Sequence, residues 1–302
     1  VLMLFVAGMD YHIWQRLAVF GYLAAVALSV AVMLFGREIN GSKRWLALGP
    51  FSFQPSEFAK VALILFLADL VTKNVKTIGK MWTLCRIMFW ILPIVGLVGA
   101  SNLSTAIIIL GIGVILIFVA SPKYAQFALM GIAGACFMGI FLALESYRLE
   151  RLAIWRNPEK YEKGYQTLQG LYAIGSGGVF GVGIGNSVQK LGFVPEAQND
   201  MIFSIICEEL GLAGAGIIVF LFLLLIWRFF LIASGSRDLF GALIATGAMA
   251  HMMIQVILNI AVVTNTIPNT GITLPFISYG GTSVMFLLIE MGLVLSVSQV
   301  VD

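Results

Sequence analysis

Charged side chains are scarce in this sequence, and the scarcity excludes a water-soluble globule. Asp, Glu, Lys and Arg make up 11% of the 302 residues against 60% hydrophobic ones. The mean hydropathy is +0.99, more apolar surface than a soluble domain of this size can hide. Cysteine is almost missing: Cys85, Cys136 and Cys207 form no CxxC pair and have no histidine near them in sequence, which excludes a disulfide framework and a thiolate zinc site. The polar and apolar alternation of a membrane barrel is absent too, so spans must be helices, whose backbones satisfy their own hydrogen bonds in lipid. A net charge of +3 without a basic tract offers nucleic acid nothing to bind.

What the chain has instead is a series of apolar stretches of about 17–25 residues, the length a helix needs to cross a hydrocarbon core of roughly 30 Å. They predict spans near 1–8, 15–36, 54–72, 83–100, 103–120, 124–144, 201–234, 239–262 and 282–300. The fold class is therefore an all-α polytopic integral membrane protein, about nine spans in one domain covering 1–302. VLMLFVAG opens without a basic lead-in and reads as the tail of a helix already under way, so a preceding span is expected and a signal peptide is not. If the spans alternate, Arg16, the turn from Lys73 to Arg86, Lys123 and the turn from Arg228 to Arg237 share one side, which the positive-inside rule makes cytoplasmic. The other side receives 37–53, a tight turn near Ser101, the long segment 145–200 and the uncharged 263–281.

Segment 145–200 is the one long polar stretch, and its six basic residues are matched by six acidic ones. Balanced charge argues against a tail that merely binds headgroups, and the aromatic and apolar content favours an ordered loop resting on the membrane surface. YEKGYQTLQGLYAIG is amphipathic, and GSGGVFGVGIGNS supplies glycines for tight turns and close backbone approach. No internal repeat is visible, which argues against an inverted-repeat transporter.

Ionisable groups in a bilayer are functional candidates by default, which directs attention to Glu57, Lys60, Asp69, Glu208, Glu209 and Glu290. Glu57 and Lys60 lie three apart on one helix face, and QPSE reads as a helix entrance with Pro55 in the first turn. Asp69 and Glu290 are expected near cytoplasmic ends, in reach of water, and Glu208 with Glu209 as partners for a basic residue. Asp200 stands where the long loop meets the next helix, a place that suits a capping acid. The same place, at the outer interface beside a glycine-rich loop and beneath Lys190, suits a general base, and the residues alone leave both readings open. In PNTGITLPFISYGGTS, Pro268 and Pro275 prevent a continuous helix and Gly280 and Gly281 permit a sharp re-entry, so the segment reads as a cavity wall.

Taken in order, NGSKRW, QPSEFAK, GYQTLQGLYAIGSGGVFGVGIGNSVQKLGFVPEAQNDMIFSIICEELG and IPNTGITLPFISYGGTS resemble the SEDS proteins (shape, elongation, division and sporulation) typified by FtsW and RodA, over nearly the whole chain. The resemblance implies ten spans, with the long loop outside between the seventh and eighth. It also implies a peptidoglycan glycosyltransferase that polymerises lipid II at the outer face of the bacterial cytoplasmic membrane. Its expected partners are a transpeptidase of the class B penicillin-binding type and the surrounding membrane lipids, not nucleic acid. Carried over by position, the family's loop aspartate is Asp200, the base for the acceptor sugar 4-hydroxyl. Lys43, Arg44 and Lys190 become candidates to steady the leaving pyrophosphate. Glu57, Lys60, Gln169, Ser176, Glu196 and Ser278 complete the candidate substrate-binding set. Pro55, Gly177, Gly178, Glu208, Glu209, Asn259, Pro268, Pro275, Gly280 and Gly281 are the expected structural or cavity positions. No metal ligand is assigned, and whether a divalent cation, Mg or Mn, bridges the pyrophosphate stays open.

The chain departs from the family pattern in places. It has SNLSTA at Ser101 to Ala106 where RodA-like members often carry PDLGTA, which removes an acid there and leans toward the FtsW or sporulation branch. Asn199 stands where Thr is common, and Met201 where Phe is usual. Two rival readings use the same features without bond formation: a lipid II flippase, and a scaffold that activates its transpeptidase.

Overall fold

The computed structural model describes residues 1–39, 42–48, 51–128, 131 and 152–301. Its helices are α1 (Leu2–Ala7), α2 (Tyr11–Phe35), α3 (Pro55–Asn74), α4 (Met81–Ser101), α5 (Leu103–Ala120), α6 (Tyr165–Gly177), α7 (Ile202–Gly235), α8 (Leu239–Val263) and α9 (Gly281–Ser298). Six of them, α2, α4, α5, α7, α8 and α9, are long and apolar enough to cross a membrane. The chain is a polytopic helical membrane protein, as its composition requires. α3 is 20 residues long, but Glu57, Lys60 and Asp69 dilute its apolar character. The span expected over 124–144 lies mostly outside the described residues.

Segment 37–53, which the sequence assigns only to the outer side, contains an antiparallel sheet of β1 (Arg37–Ile39), β2 (Ser42–Leu48) and β3 (Phe51–Phe53) in the order β1-β2-β3. The strands are too short for their alternation to stand out against the apolar helices on either side.

The chain divides into two compact units. The first comprises Val1–Tyr124, Leu225–Ile254 and Gly280–Asp302, the second Ala125–Leu224 and Gln255–Tyr279. In the first unit α3 is central, packed on α2, α4, α5 and α9. Pro55 occupies the first turn of α3, as the QPSE pattern predicts. Small residues let helices approach: a Cβ on Gly247 would meet the Ile64 side chain at 2.5 Å. Tyr22, Phe66 and Trp90 cluster, with 4.3 Å between the Tyr22 and Phe66 ring centroids, and the Tyr22 hydroxyl donates to the Trp90 carbonyl at 2.7 Å, which satisfies that hydroxyl among the rings. Asn102 ends α4 and begins α5, accepting from the Thr105 amide at 3.2 Å, which makes the tight turn expected near Ser101.

At one end of this unit the turn before α2 meets the turn before α8. Asp238 accepts from the Tyr11 hydroxyl, from the Gly241 amide at 2.7 Å, and sits 3.1 Å from His12 Nε2. Burial raises the Asp238 carboxyl, but the Gly241 amide, the Tyr11 hydroxyl and His12 outweigh it and hold it below the usual aspartate range.

The second unit takes residues 202–224 of α7. The 34 residues of that helix would span roughly 51 Å, well beyond a hydrocarbon core of roughly 30 Å. The helix is broken at Gly211, which lies at φ 67°, ψ −171°. The break frees backbone groups, and the glycine-rich segment takes them up. Leu212 and Ala213 amides donate to the Gly178 and Val179 carbonyls at 3.0 Å, while Val182 and Gly183 amides donate to the Glu208 and Glu209 carbonyls at 2.9 and 3.0 Å. Approach this close leaves no room for side chains: a Cβ on Gly177 would fall 1.9 Å from the Cys207 carbonyl oxygen, and one on Gly211 2.4 Å from the Gly181 nitrogen.

Candidate active site

Asp200 lies on the short turn between the long loop and α7, and two side chains and one backbone amide fix that turn. Asn259 on α8, fully buried, donates its amide to the Asp200 carbonyl at 2.9 Å and to the Ile272 carbonyl at 2.6 Å. Ser278 donates to the Asn199 carbonyl at 2.6 Å and accepts from the Leu274 amide at 2.7 Å. The Tyr279 amide donates to the Gln198 carbonyl at 2.8 Å. Segment 264–280 is thus non-helical as predicted, and its buried Ile272 and Leu274 anchor it within the second unit.

The Asp200 side chain is 9% exposed. Gln166 in the first turn of α6 donates to its Oδ1 at 3.4 Å, and a Cβ on Gly271 would lie 3.6 Å from its Oδ2. Burial pushes this carboxyl up to about 6, with the nearby Glu196 adding to the rise. Gln166 and the backbone amides of Asp200 and Met201 pull the other way. The chain neighbours of Asp200, from Glu196 to Gln198 and then Ile202, form a wall of a cleft of about 680 Å³ whose other lining includes Lys190 and Val194. That volume falls within the roughly 300–1,000 Å³ usual for ligand sites. The Asp200 carboxylate itself is turned toward Gln166 and Gly271. Among the described residues no group of three or more His, Cys, Asp or Glu could hold a metal ion.

A profile of the FtsW, RodA and SpoVE family, described as "Cell cycle protein", matches residues 1–302. The stage V sporulation protein E of Bacillus subtilis is 39% identical over 312 residues, covering 99% of this chain and 83% of that protein. The protein of Coxiella burnetii named "Probable peptidoglycan glycosyltransferase FtsW" is 37% identical, with 95% of this chain and 79% of its own length covered. The crystal structure of the rod shape determining protein RodA of Thermus thermophilus matches with a TM-score of 0.72 at 28% identity, over 99% of this chain and 83% of that one. A chain from a structure described as "structural coordination of polymerization and crosslinking by a peptidoglycan synthase complex" matches with a TM-score of 0.86 at 30% identity, over 99% and 85%. This chain belongs to the FtsW/RodA/SpoVE family.

Several positions of this SEDS protein have other tasks than those expected of them. Lys190 is engaged by Glu209 Oε1 at 2.6 Å. Beside it Glu208 accepts from the Ser187 hydroxyl and, at 3.1 Å, from the Val188 amide. Glu209 therefore partners a basic residue, whereas Glu208 holds the loop on α7 through a hydroxyl and backbone amides; Lys190 is held by its ion pair at the edge of the cleft. Ser278 has both its donor and an acceptor site spent on backbone, which makes it a clamp and not a substrate ligand. Gly177 serves the close approach to α7, whereas Gly178 has open space where a Cβ would stand and is called for by its φ of 54°. Gly280, at φ 174°, is merely extended, and the left-handed residues of the re-entrant segment are Asn265, Gly271 and Phe276. Gln169 is half-buried, Ser176 is exposed and bonds the Ala173 carbonyl at 2.9 Å, and Glu196 is exposed with Asn199 donating to it.

In the first unit Glu57 and Lys60 pair at 3.0 Å, 6% and 2% exposed. They are helix-bundle partners, buried from any substrate. Glu290, expected to reach water, is instead 2% exposed and lies 2.7 Å from His251 Nδ1. Asp69, likewise buried, holds Gln15 at 2.9 Å and Lys73 at 2.6 Å. A carboxylate this deep is tolerable only when paired. Arg44 on β2 donates to the Ser101 carbonyl at 3.1 Å and lines a crevice with Pro55, Ser56 and Asn102, while Lys43 is exposed. Sequence reasoning missed Gln166 and His251. Gln166 was within reach, since in the amphipathic YQTLQG stretch it shares a helix face with Gln169, one turn on.

Proposed function

We propose that this chain polymerises lipid II as a peptidoglycan glycosyltransferase, with Asp200 as the general base. The acceptor 4-hydroxyl attacks the anomeric carbon of the lipid-linked donor. Its oxygen forms the new glycosidic bond, the bond from that carbon to the pyrophosphate breaks, and the hydroxyl proton passes to the Asp200 carboxylate. The observation that carries this reading is a buried aspartate, fixed through its backbone by Asn259, whose carboxyl is raised to about 6. A base poised near the working pH combines a large ionised fraction with a real affinity for the proton. The names of the FtsW relatives and the synthase complex support the reaction class. The same complex supports a transpeptidase of the class B penicillin-binding type as partner. The cytoplasmic membrane is the proposed location with Asp200 outside, because Asp200 precedes α7 and the basic turn between Arg228 and Arg237 closes its other end.

The test is a polymerisation assay with full-length protein, its transpeptidase and lipid II, following glycan chain length in the presence of moenomycin. Polymer is expected from the native protein and none from Asp200→Ala. Equal polymer from both would remove the mechanism and leave transport or scaffolding.

A further inference from the structure

We propose that Gln166 is the positioning residue for Asp200, its amide aimed by Asn269 in a relay that runs from Gly271 through Asn269 and Gln166 to the carboxylate. The proposal rests on the reading of Asp200 as the base.

The relay has a direction because it starts from a group that cannot reverse. The Gly271 backbone N–H can only donate, and it donates to Asn269 Oδ1 at 3.2 Å. Asn269 therefore turns Nδ2 toward Gln166 Oε1, at 3.0 Å. With its oxygen so occupied, Gln166 presents Nε2 to Asp200 Oδ1 at 3.4 Å and to the Pro195 carbonyl at 3.3 Å. A lone glutamine could offer a carboxylate either edge of its amide. This one is held with the donor edge forward, the edge that favours an ionised partner. Gly271 suits the start of the relay because its φ of 67° is the left-handed conformation that disfavours a side chain. The consequence is that the first turn of α6, in the long loop, controls the ionisation and aim of the base without touching the sugar.

The test is the pH dependence of kcat for lipid II polymerisation by the full-length protein with its transpeptidase, in wild type, Asn269→Asp, Gln166→Leu and the double variant. Asn269→Asp keeps an acceptor for Gly271 but sets a second oxygen against Gln166 Oε1, so the glutamine amide turns over and shows its oxygen to Asp200. The acid limb is expected to move upward by roughly 0.5–1 pH unit in each single variant and no further in the double, because both changes cut one relay. Activity should return on the alkaline side. An unmoved acid limb, additive shifts, or activity that stays lost at every pH would overturn the relay. Asp200→Asn separates the two readings: polymer from that variant dismisses the base itself, whereas a silent Asp200→Asn with an unmoved limb dismisses only the relay.

Discussion

Asp200→Asn should make the protein inactive and more stable at once, and the size of the gain follows from its burial. Its carboxyl is raised from an ordinary value of 3.8 to about 6, which corresponds to ~3 kcal/mol of folding free energy given up when it ionises. The sign is that of a raised acid. Below the unfolded-state value both states hold the proton and nothing is lost. As pH climbs through the window from about 4 to about 6 the unfolded chain releases its proton first, and above the window the full cost applies. Asparagine has no proton to release. It accepts less well from Gln166 and the two backbone amides, a loss of about 1 kcal/mol, which leaves a net gain of roughly 2 kcal/mol at neutral pH. At roughly 2–4 °C per kcal/mol, thermal unfolding at a matched heating rate should show the variant ~4–8 °C higher at pH 7.5. The gap should close as pH falls to about 4.5 and reverse slightly below it. A variant less stable than wild type at pH 7.5, or a gap that does not change with pH, would refute the account of this carboxylate as desolvated and costly.

Two further outcomes test the packing within each unit. Gly177→Ala would put a Cβ 1.9 Å from the Cys207 carbonyl oxygen and should lower stability by ~3 kcal/mol, whereas Gly175→Ala, in the same helix with nothing within 4 Å, should be neutral or gain up to about 1 kcal/mol in the same thermal assay. Lys60→Met and Glu57→Gln should each cost ~3–5 kcal/mol by leaving a buried partner uncompensated, and the double variant should cost less than the two together. Strict additivity in that cycle would show that the pair does not act as one.

Much of the fold was legible because lipid imposes one rule on every residue of a span. Apolar runs of crossing length had to become α2, α4, α5, α7, α8 and α9, and the predicted limits agree with the observed ones to within a few residues. Pro55 announced the start of α3, and the prolines of 264–280 announced non-helical backbone. The meander over 37–53 was not legible, since strands of three and seven residues carry too little alternation to register. Nor was the fate of the charges: Lys190, Glu290 and Asp69 were placed by their position along the chain, and what decided their environment was which helix faced them.

Sequence by itself determined that the chain lives in a membrane, where its helices begin and end, and which acid stands at the mouth of α7. Those follow from local composition, because transfer into lipid is summed residue by residue along a span. Only the tertiary structure decided that α7 breaks at Gly211 to receive the glycine-rich segment, and that Asn259 grips Asp200 through its backbone. It alone brought Gln166, 34 residues away, to the Asp200 carboxylate. A hydrogen bond depends on distance and direction between groups remote in sequence, and the environment that sets the proton affinity of Asp200 exists only once those groups have converged.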